Sequence, residues 1–299
     1  MPRLYVVATP IGNLSDLSPR AIETLKGVDL IAAEDTRVTR ALLNHFGIDT
    51  PCVSNHQHNE AQRAASLPQR MLAEDLTVAV VTDAGTPCIS DPGSVLAREA
   101  AQLGIEVLAV PGPTAMASAL SVSGFDTREF AFYGFLPRQR KELREKLLSM
   151  KRSGVPIGVV HESPHRVIEL VRTICETLPG CRISASCDLT KLHEKTIRGT
   201  ADEVLHMLEE NEKAEKGEYC LVLDMAQAEL PPEKEVCGVS LEARLFEELL
   251  CGGDLRAAGE RLMERGAKRN EVYRARTNVQ RFLEDMIEQA TAGEDESDE

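Results

Sequence analysis

Short apolar runs alternate with helical segments through the first third of this chain, and two of the runs end in turns of small residues. One turn is Thr82–Gly93, after the run 78–81, and the other is Val110–Ala115, after the run 105–109. Gly, Pro and Thr between a strand and a helix let the backbone approach a ligand closely. Because parallel strands place their carboxyl ends at one edge of an open α/β sheet, the two turns predict a small-molecule cleft there.

Local signals predict βαβ units and a mostly parallel sheet in this first module. Ser18 before Pro19 predicts the start of a helix, and Gly27 predicts its end. Asp91 before Pro92 fits a cap for the helix that ends at Gly104, so we interpret Asp91 as a capping residue.

A second strand-helix module follows Gly124. The runs 182–189 and 194–198 predict two strands joined by a tight turn, which favours a mixed sheet. Thr200–Glu203 is a capping box, the segment 226–235 reads as a linker, and 240–289 has a helical, helix-turn-helix-like pattern. Glu294–Glu299 is typical of a solvated, disordered tail.

Composition limits the classes of function. The chain has 299 residues, 42% of them apolar, which suffices for two packed cores. A net charge of -14 argues against general coating of nucleic acid, although a local RNA site remains compatible with it. No apolar stretch reaches membrane-spanning length, the start shows no secretion signal, and the eight cysteines form no Cys-x-x-Cys pair, so we expect a cytoplasmic protein with reduced thiols.

The first predicted loop, Thr9–Asp16, differs from nucleotide-binding loops. It holds a single glycine, and the chain has neither Gly-x-Gly-x-x-Gly nor a phosphate-binding Gly-Lys-Ser/Thr motif. Pro10 also lacks the N–H that would hold a phosphate. ATP, GTP and dinucleotides are therefore poor ligand candidates, and the alternative is an ordinary connection between a strand and a helix.

Acidic residues follow two of the predicted strands. Asp83 is placed to hold a ribose hydroxyl or a cationic ligand group, with capping of a turn as the alternative. Glu34, Asp35 and Arg37 indicate either substrate contact or an internal ion pair that orients a loop. The segment 56–60 contains two histidines and a glutamate, but we prefer a solvated loop there and predict no metal site.

Basic residues cluster in two predicted helical segments of an otherwise acidic chain. The segment 138–152 is the first candidate for contact with an RNA backbone, and 256–276 is the second. The alternative in both cases is a solvated helix face.

Eight short segments then occur in a specific order: 9–14, 33–37, 83–87, 90–93, 111–115, 134–138, 162–166 and 189–191. Together they closely resemble the bacterial small-subunit rRNA ribose methyltransferase I family, a branch of the tetrapyrrole methylase superfamily, over residues 4–224. The chain departs from that pattern at Cys187 and Asp188, where the family usually has Arg-Glu, and at Thr82, where it usually has Ser.

The resemblance implies an α/β fold of two αβα domains of the tetrapyrrole methylase type with a small C-terminal helical region. The domains would be 1–112 and 113–228, followed by a helical region at 236–289 and a disordered acidic tail at 290–299. It also implies S-adenosylmethionine (SAM) in the cleft between the domains and usually a homodimer. The activity implied is methyl transfer to the 2′-oxygen of a cytidine in the decoding region of 16S rRNA, within the assembled small ribosomal subunit.

Site residues follow from combining the motifs with this resemblance. We predict these contacts to SAM: Pro10, Gly12, Asp83, Ala84, Gly85, Thr86, Ile89, Pro111, Thr114, Ala115, Ser163 and Leu189. The candidates for accepting the proton of the 2′-hydroxyl, or for orienting it, are Glu34, Asp35, Glu162 and Lys191. The predicted RNA contacts are Arg37, Arg138, Arg140, Lys141, Arg144, Arg166, Lys268 and Arg269.

Two other functions are compatible with the sequence. One is carbon methylation of a tetrapyrrole precursor, the other chemistry of the superfamily, although the basic segments favour RNA. The other is a ribosome-assembly binding module without catalysis, which would not need to bind SAM.

Overall fold

The computed structural model describes residues 1–230, 240–250, 252 and 254–292. The chain divides into two compact units, Met1–Pro231 and Pro232–Glu299. The first unit contains two five-stranded sheets, and the second unit is helical in its described part. The observed elements confirm the predicted α/β class.

The first sheet is built from residues 3–110. Its strands are β1 (Arg3–Val7), β2 (Leu30–Ala33), β3 (Cys52–Ser54), β4 (Thr77–Val81) and β5 (Glu106–Val110). Its helices are α1 (Pro19–Gly27), α2 (Thr36–His45), α3 (Glu60–Glu74) and α4 (Ser94–Gln102). The strand order is β3-β2-β4-β1-β5 and every pairing is parallel, as the alternating pattern predicts. Because β1 lies between β4 and β5, the loops after these three strands are neighbours.

Both faces of the first sheet are apolar, so helices cover it on two sides. Along β4, Val78 and Val80 pack in one cluster with Leu96 of α4, whereas Ala79 and Val81 pack in the other. This alternation places the polar residues of the module at the strand ends, where the predicted loops lie.

Helix α1 begins as predicted, but helix α4 does not. The hydroxyl of Ser18 accepts a hydrogen bond from the N–H of Ala21. The predicted cap at Asp91 is wrong, because Gly93 is the N-cap of α4 and makes no side-chain cap bond. Glu60 satisfies this helix start instead, since its Oε1 accepts hydrogen bonds from the N–H groups of Gly93 at 2.7 Å and Val95 at 3.1 Å.

The second sheet is built from residues 130–224 and is mixed. Its strands are β6 (Phe130–Phe135), β7 (Ile157–Glu162), β8 (Arg182–Cys187), β9 (Lys195–Thr200) and β10 (Tyr219–Asp224). Its helices are α5 (Ala115–Ser123), α6 (Arg140–Arg152), α7 (Val167–Thr177) and α8 (Ala201–Glu209). The order is β6-β7-β10-β8-β9, with only β6 and β7 parallel, which confirms the predicted mixed sheet.

This sheet also has an apolar layer on each face. Leu147, Ile174 and Leu208 belong to the cluster under α6, α7 and α8, and Leu120 of α5 packs on the other face. The capping box at Thr200 starts α8 as predicted.

The helical unit contains α9 (Leu241–Leu250), α10 (Leu255–Glu264) and α11 (Arg269–Ala292). Its core includes Leu245 and Leu262, and Glu248 pairs with Arg261 at 2.6 Å and Arg265 at 2.7 Å. Helix α11 covers the first three residues of the predicted tail. Residues 236–239 of the predicted helical region and 293–299 of the predicted tail lie outside the described residues. Within the described part of the chain, the helices are too short or too polar to cross a membrane.

Candidate active site

The loops that follow β1, β4 and β5 are joined by hydrogen bonds. Thr9 and Gly85 exchange two backbone bonds, at 2.8 and 3.1 Å, and the hydroxyl of Thr9 donates to the carbonyl of Thr82 at 3.0 Å. The hydroxyl of Thr86 donates to the carbonyl of Pro113 at 3.2 Å. The three loops therefore form one surface at the carboxyl edge of the first sheet.

A cavity of about 60 Å³ lies between this surface and the second sheet. Six predicted cofactor contacts line it: Ala84, Gly85, Thr86, Ile89, Thr114 and Ala115. The remaining lining residues are Ile11, Asp91, Met116, Phe132 and His161. Phe132 lies on β6 and His161 on β7, so the cavity is formed where the two sheets face each other.

Four of the other predicted cofactor contacts, Pro10, Gly12, Asp83 and Leu189, lie on loops next to this cavity. Pro10 and Asp83 line a neighbouring cavity of about 240 Å³ on the first module. Leu189 packs in one apolar cluster with Ile11 and Ala115. A Cβ on Gly12 would lie 2.6 Å from Cγ of Lys191, so the loop after β1 touches the loop after β8.

Ser163 and Pro111 complete the predicted set. Both the N–H and the hydroxyl of Ser163 are within hydrogen-bond distance of Oε1 of Glu162, and Pro111 is exposed directly after β5. A larger cavity, about 580 Å³, lies elsewhere: it is lined by Arg128, Ile157 and Asp224 at the opposite edge of the second sheet. None of the predicted site residues lines that larger cavity.

Three carboxylates lie close together at the ends of β2 and β4. Oε2 of Glu34 accepts hydrogen bonds from the hydroxyl of Thr82 at 2.5 Å and the N–H of Asp83 at 3.2 Å. Burial raises the pKa of Asp83, and the charges of Glu34 and Asp35 add to the effect. Burial also raises the pKa of Asp91 to about 6, with contributions from Glu34 and Asp83. A partly buried acidic group of this kind favours a cationic ligand.

Asp35 has a local structural role. Its carboxylate caps α2 through the N–H of Arg37 at 2.8 Å and pairs with the guanidinium of Arg37 at 2.6 Å. The hydrogen bonds from Arg37 lower the pKa of Asp35 to about 2. This is the internal ion pair that the sequence left as an alternative, and a carboxylate so stabilised is a weak base.

Glu162 and Arg166 form an ion pair in the second module. The side chain of Glu162 is fully buried, and its Oε2 lies 3.2 Å from the guanidinium of Arg166. The same guanidinium donates to the carbonyls of Leu136 and Pro137. The pair thus fixes the loop between β6 and α6, and these internal contacts occupy Arg166, which we predicted as an RNA contact.

Lys191 is held by two acids. Its ammonium lies 2.9 Å from Asp188 and 2.8 Å from Glu218. Burial alone would lower the pKa of Lys191, but the hydrogen bonds that its ammonium donates to Glu218 and Asp188 outweigh it, and the pKa is raised. Lys191 is therefore a cation at neutral pH, and it acts as a base only if those partners are displaced.

The predicted RNA contacts are dispersed. Arg140 and Arg144 of α6 pair with Glu176 of α7, and Lys141 lies 4.0 Å from Glu145. Among the residues that the structure describes, Arg37 pairs with Asp35 alone, and Arg138 is exposed and has no ion pair. Lys268 and Arg269 lie in the helical unit, where Lys268 pairs with Glu271.

The predicted site residues did not include Phe132 or His161, although the segment that begins at His161 was a candidate for lining a cleft, and the role of Asp91 was misjudged. His161 and Phe132 are in edge-to-face contact at 5.1 Å, and burial lowers the pKa of His161. The position of His161 at the end of a predicted strand was an available signal, whereas Phe132 carried none. Asp91 faces the cavity rather than capping α4, because Glu60 already occupies that helix start.

Comparisons with known proteins agree with this architecture. The model of the tetrapyrrole (corrin/porphyrin) methylase family matches residues 3–205. The chain is 44% identical over 231 residues to the ribosomal RNA small subunit methyltransferase I of Halalkalibacterium halodurans, covering 77% of this chain and 78% of the relative. It is 39% identical over 275 residues to the protein of that name from Bacillus subtilis, covering 91% and 93%.

Two solved structures have a similar fold. The crystal structure of diphthine synthase matches with a TM-score of 0.59 at 12% identity, covering 77% of this chain and 92% of that one. The crystal structure of the methyltransferase CobJ matches with a TM-score of 0.54 at 17% identity, covering 78% and 98%. At these identities the likeness concerns the fold alone.

Proposed function

We propose that this chain methylates small-subunit rRNA with SAM, because it belongs to the tetrapyrrole methylase family and, within it, to the ribosomal RNA small subunit methyltransferase I family. The acceptor is the 2′-oxygen of a cytidine ribose in the decoding region of 16S rRNA, within the assembled subunit and in the cytoplasm. The observation that carries the proposal is that three small-residue loops converge on one cavity between the two sheets, with Asp91 in its lining and the carboxylates of Glu34 and Asp83 on the adjoining loops.

The residues present fit a cationic methyl donor. Ala84, Gly85 and Ala115 leave the backbone accessible, and the carboxylates of Asp83 and Asp91 supply negative charge beside the cavity. SAM carries an activated methyl group, so the protein has mainly to align the acceptor oxygen with it. Since a nucleoside-sized ligand needs about 300 Å³ or more, the cavity of about 60 Å³ has to widen to admit it.

Glu34 is the proton acceptor that the contacts favour. Asp35 is stabilised as the anion by Arg37, and Glu162 is shielded from the cleft by its full burial. Glu34 is partly exposed, and its two hydrogen bonds both use Oε2, which leaves Oε1 for an incoming hydroxyl. Lys191 orients the acceptor or holds a phosphate, because its ion pairs keep it charged.

Local contacts reconcile an acidic protein with an RNA substrate. Arg37 and Arg138 are exposed on the first unit, and Lys268 and Arg269 add positive charge on the helical unit. A large ribosomal particle supplies shape, so few phosphate contacts suffice for positioning. We also propose that two copies of the chain associate, because Phe135 and Leu192, both large and apolar, are 64% and 92% exposed.

The test is transfer of a labelled methyl group from SAM to small ribosomal subunits isolated from cells that lack this chain. We expect label on one cytidine ribose, and E34Q should abolish most of the transfer while SAM binding persists. If K191M abolishes methyl transfer and E34Q does not, Lys191 is the proton acceptor, and Glu218 and Asp188 have to be displaced from its amine.

Two control assays address the other functions. Label that appears on a porphyrinogen and not on the subunits would assign carbon methylation of a tetrapyrrole instead. Failure of the wild-type chain to bind SAM at equilibrium would leave a ribosome-assembly binding module.

A further inference from the structure

A further cavity, of about 440 Å³, lies on the second sheet outside the site described above. It is formed by the end of β8, the start of β9, helix α8 and the turn that leads into β10. Its volume is within the range of small-ligand sites and is enough for one nucleotide. None of the residues predicted for SAM or for catalysis lines it.

The rim of this cavity is basic. Lys195, Lys213, Lys216 and His193 line it, and no ion pair involves any of the three lysines among the residues described. Asp188 is the one carboxylate among the described lining residues, and it shares the ammonium of Lys191 with Glu218. Three lysines around one cavity, none in an ion pair with a described residue, attract phosphate even in a chain whose net charge is -14.

The floor of the cavity is apolar and has one amide. Leu208 and Tyr219 are buried beneath it, and Ile197 and Met207 flank them. Oδ1 of Asn211 accepts a hydrogen bond from the N–H of Lys213 at 3.1 Å. The amide nitrogen of Asn211 is therefore left to donate to a ligand. An apolar floor with an aromatic ring and an adjacent amide donor suits a nucleobase.

A chain of contacts joins this cavity to the candidate active site. Asp188 lines the cavity and holds the ammonium of Lys191 at 2.9 Å. The stem of Lys191 in turn lies against Gly12 in the loop after β1. A ligand in the cavity is thus separated from the proposed acceptor site by a single loop.

We propose that this cavity binds one nucleotide of the substrate RNA that lies near the acceptor nucleotide in the chain. The phosphates contact Lys195, Lys213 and Lys216, and the base lies on the floor formed by Leu208, Ile197 and Tyr219. The inference rests on the proposed function, because it takes the ligand to be the RNA that is methylated. It identifies residues that position the RNA and take no part in proton or methyl transfer.

The test compares two variants that lose the same charge. K213Q/K216Q removes two cations from the rim, and R20Q/K26Q removes two exposed cations from α1, which is on the other module. At about 0.15 M salt we expect K213Q/K216Q to raise KM for small ribosomal subunits about tenfold, with kcat within about threefold of wild type. The control should leave both constants within about twofold.

Salt dependence gives a second readout that a structural defect would not produce. The slope of log Kd against log salt for a fluorescent oligocytidylate should fall by about 1.4 in K213Q/K216Q, because each phosphate contact on a single strand contributes about 0.7. M207E, which places a carboxylate over the floor without removing a lysine, should also weaken oligocytidylate binding. SAM affinity should be unchanged in all three variants.

The results separate this inference from the proposed function. If the wild-type chain methylates subunits and K213Q/K216Q keeps the wild-type KM and salt slope, the nucleotide site is wrong and the activity stands. If the wild-type chain transfers no methyl group to subunits yet K213Q/K216Q loses oligocytidylate binding with a reduced slope, the cavity binds RNA and the proposed reaction is wrong.

Discussion

The carboxylates of Glu34 and Asp83, which follow β2 and β4, each accept a hydrogen bond from the backbone at the end of the other strand. Oε2 of Glu34 accepts a hydrogen bond from the N–H of Asp83 at 3.2 Å, and Oδ1 of Asp83 accepts one from the N–H of Asp35 at 3.1 Å. The reciprocal pair joins the ends of β2 and β4 at the edge where the cavity opens. Negative charge is thereby held in place before any ligand binds, which is the preorganisation that a cationic donor requires.

Asp83→Asn should weaken SAM binding about tenfold, because it removes a fixed negative charge next to the cavity. Titration calorimetry with SAM measures the change. Asp29→Asn is the matched control: Oδ2 of Asp29 accepts a backbone bond from Thr77 at 2.8 Å between the same two strands, at the opposite edge of the sheet. Wild-type SAM affinity and full methylation in the Asp83 variant would remove Asp83 from the site.

Ionisation of Asp91 should lower the free energy of unfolding as pH rises. Its pKa is raised in the folded chain from the ordinary 3.8 to about 6, so the folded state binds more protons than the unfolded state between those values. The contribution is complete below about pH 4 and is lost as pH rises through about 6. After discounting for solvent screening, Asp91→Asn should increase the free energy of unfolding by about 1 kcal/mol near pH 7.5, measured by urea denaturation.

The same ionisation predicts a pH-dependent affinity. Wild-type binding of SAM should tighten as pH rises through about 6, since Asp91 gains its charge there, and Asp91→Asn should flatten that step. Calorimetry at about pH 5 and about pH 7.5 tests it. A step of the same size in both proteins would show that another group is responsible.

Gly134→Ala should disturb the loop that carries Ile89 and Asp91. A Cβ at Gly134 would lie 2.8 Å from Oγ of Ser90, so Ser90 has to shift. Gly47→Ala is the control, because Gly47 has φ +62° against +61° for Gly134 and no atom within 4 Å of its Cβ position. Both variants should lose about 1 kcal/mol of stability from backbone strain, but only Gly134→Ala should weaken SAM binding, by about fivefold. Equal affinities would mean that the Ser90 contact does not affect the site.

Arg166→Ala should destabilise the second module by about 3 kcal/mol, because it leaves the fully buried carboxylate of Glu162 unpaired. Arg172→Ala, which removes an exposed pair with Glu169 and Glu209, should cost about 1 kcal/mol or less. Chemical denaturation measures both. Adding Glu162→Gln to the Arg166 variant should recover part of the loss, and a further loss would argue against burial of an unpaired charge as the cause.

Local patterns predicted the elements well, because their causes lie within a few residues of chain. The start of α1 follows from Ser18 and Pro19, and α8 begins at the capping box of Thr200 and Glu203. The cap of α4 failed for the opposite reason. Its partner, Glu60, lies 33 residues away from Gly93, and no local rule can identify such a contact.

The predicted site likewise divides into residues that a local pattern identifies and residues that only folding brings together. Small residues at the ends of β4 and β5 marked the lining loops, since backbone access depends on residue type. His161 and Phe132 join the lining only because β6 and β7 face those loops from the other sheet. The basic rim of the 440 Å³ cavity could not be predicted either, because Lys195 and Lys213 are brought together by the antiparallel pairing of β8 with β9 and with β10.

The sequence by itself determined where strands and helices run, which loops carry small residues and which family the chain resembles, since apolar periodicity and motif order are properties of the chain. Only the tertiary structure decided which carboxylate serves a helix and which faces a cavity. Asp91 and Glu60 differ in those roles because each side chain bonds to the groups that folding brings near it, and separation along the chain does not limit that choice.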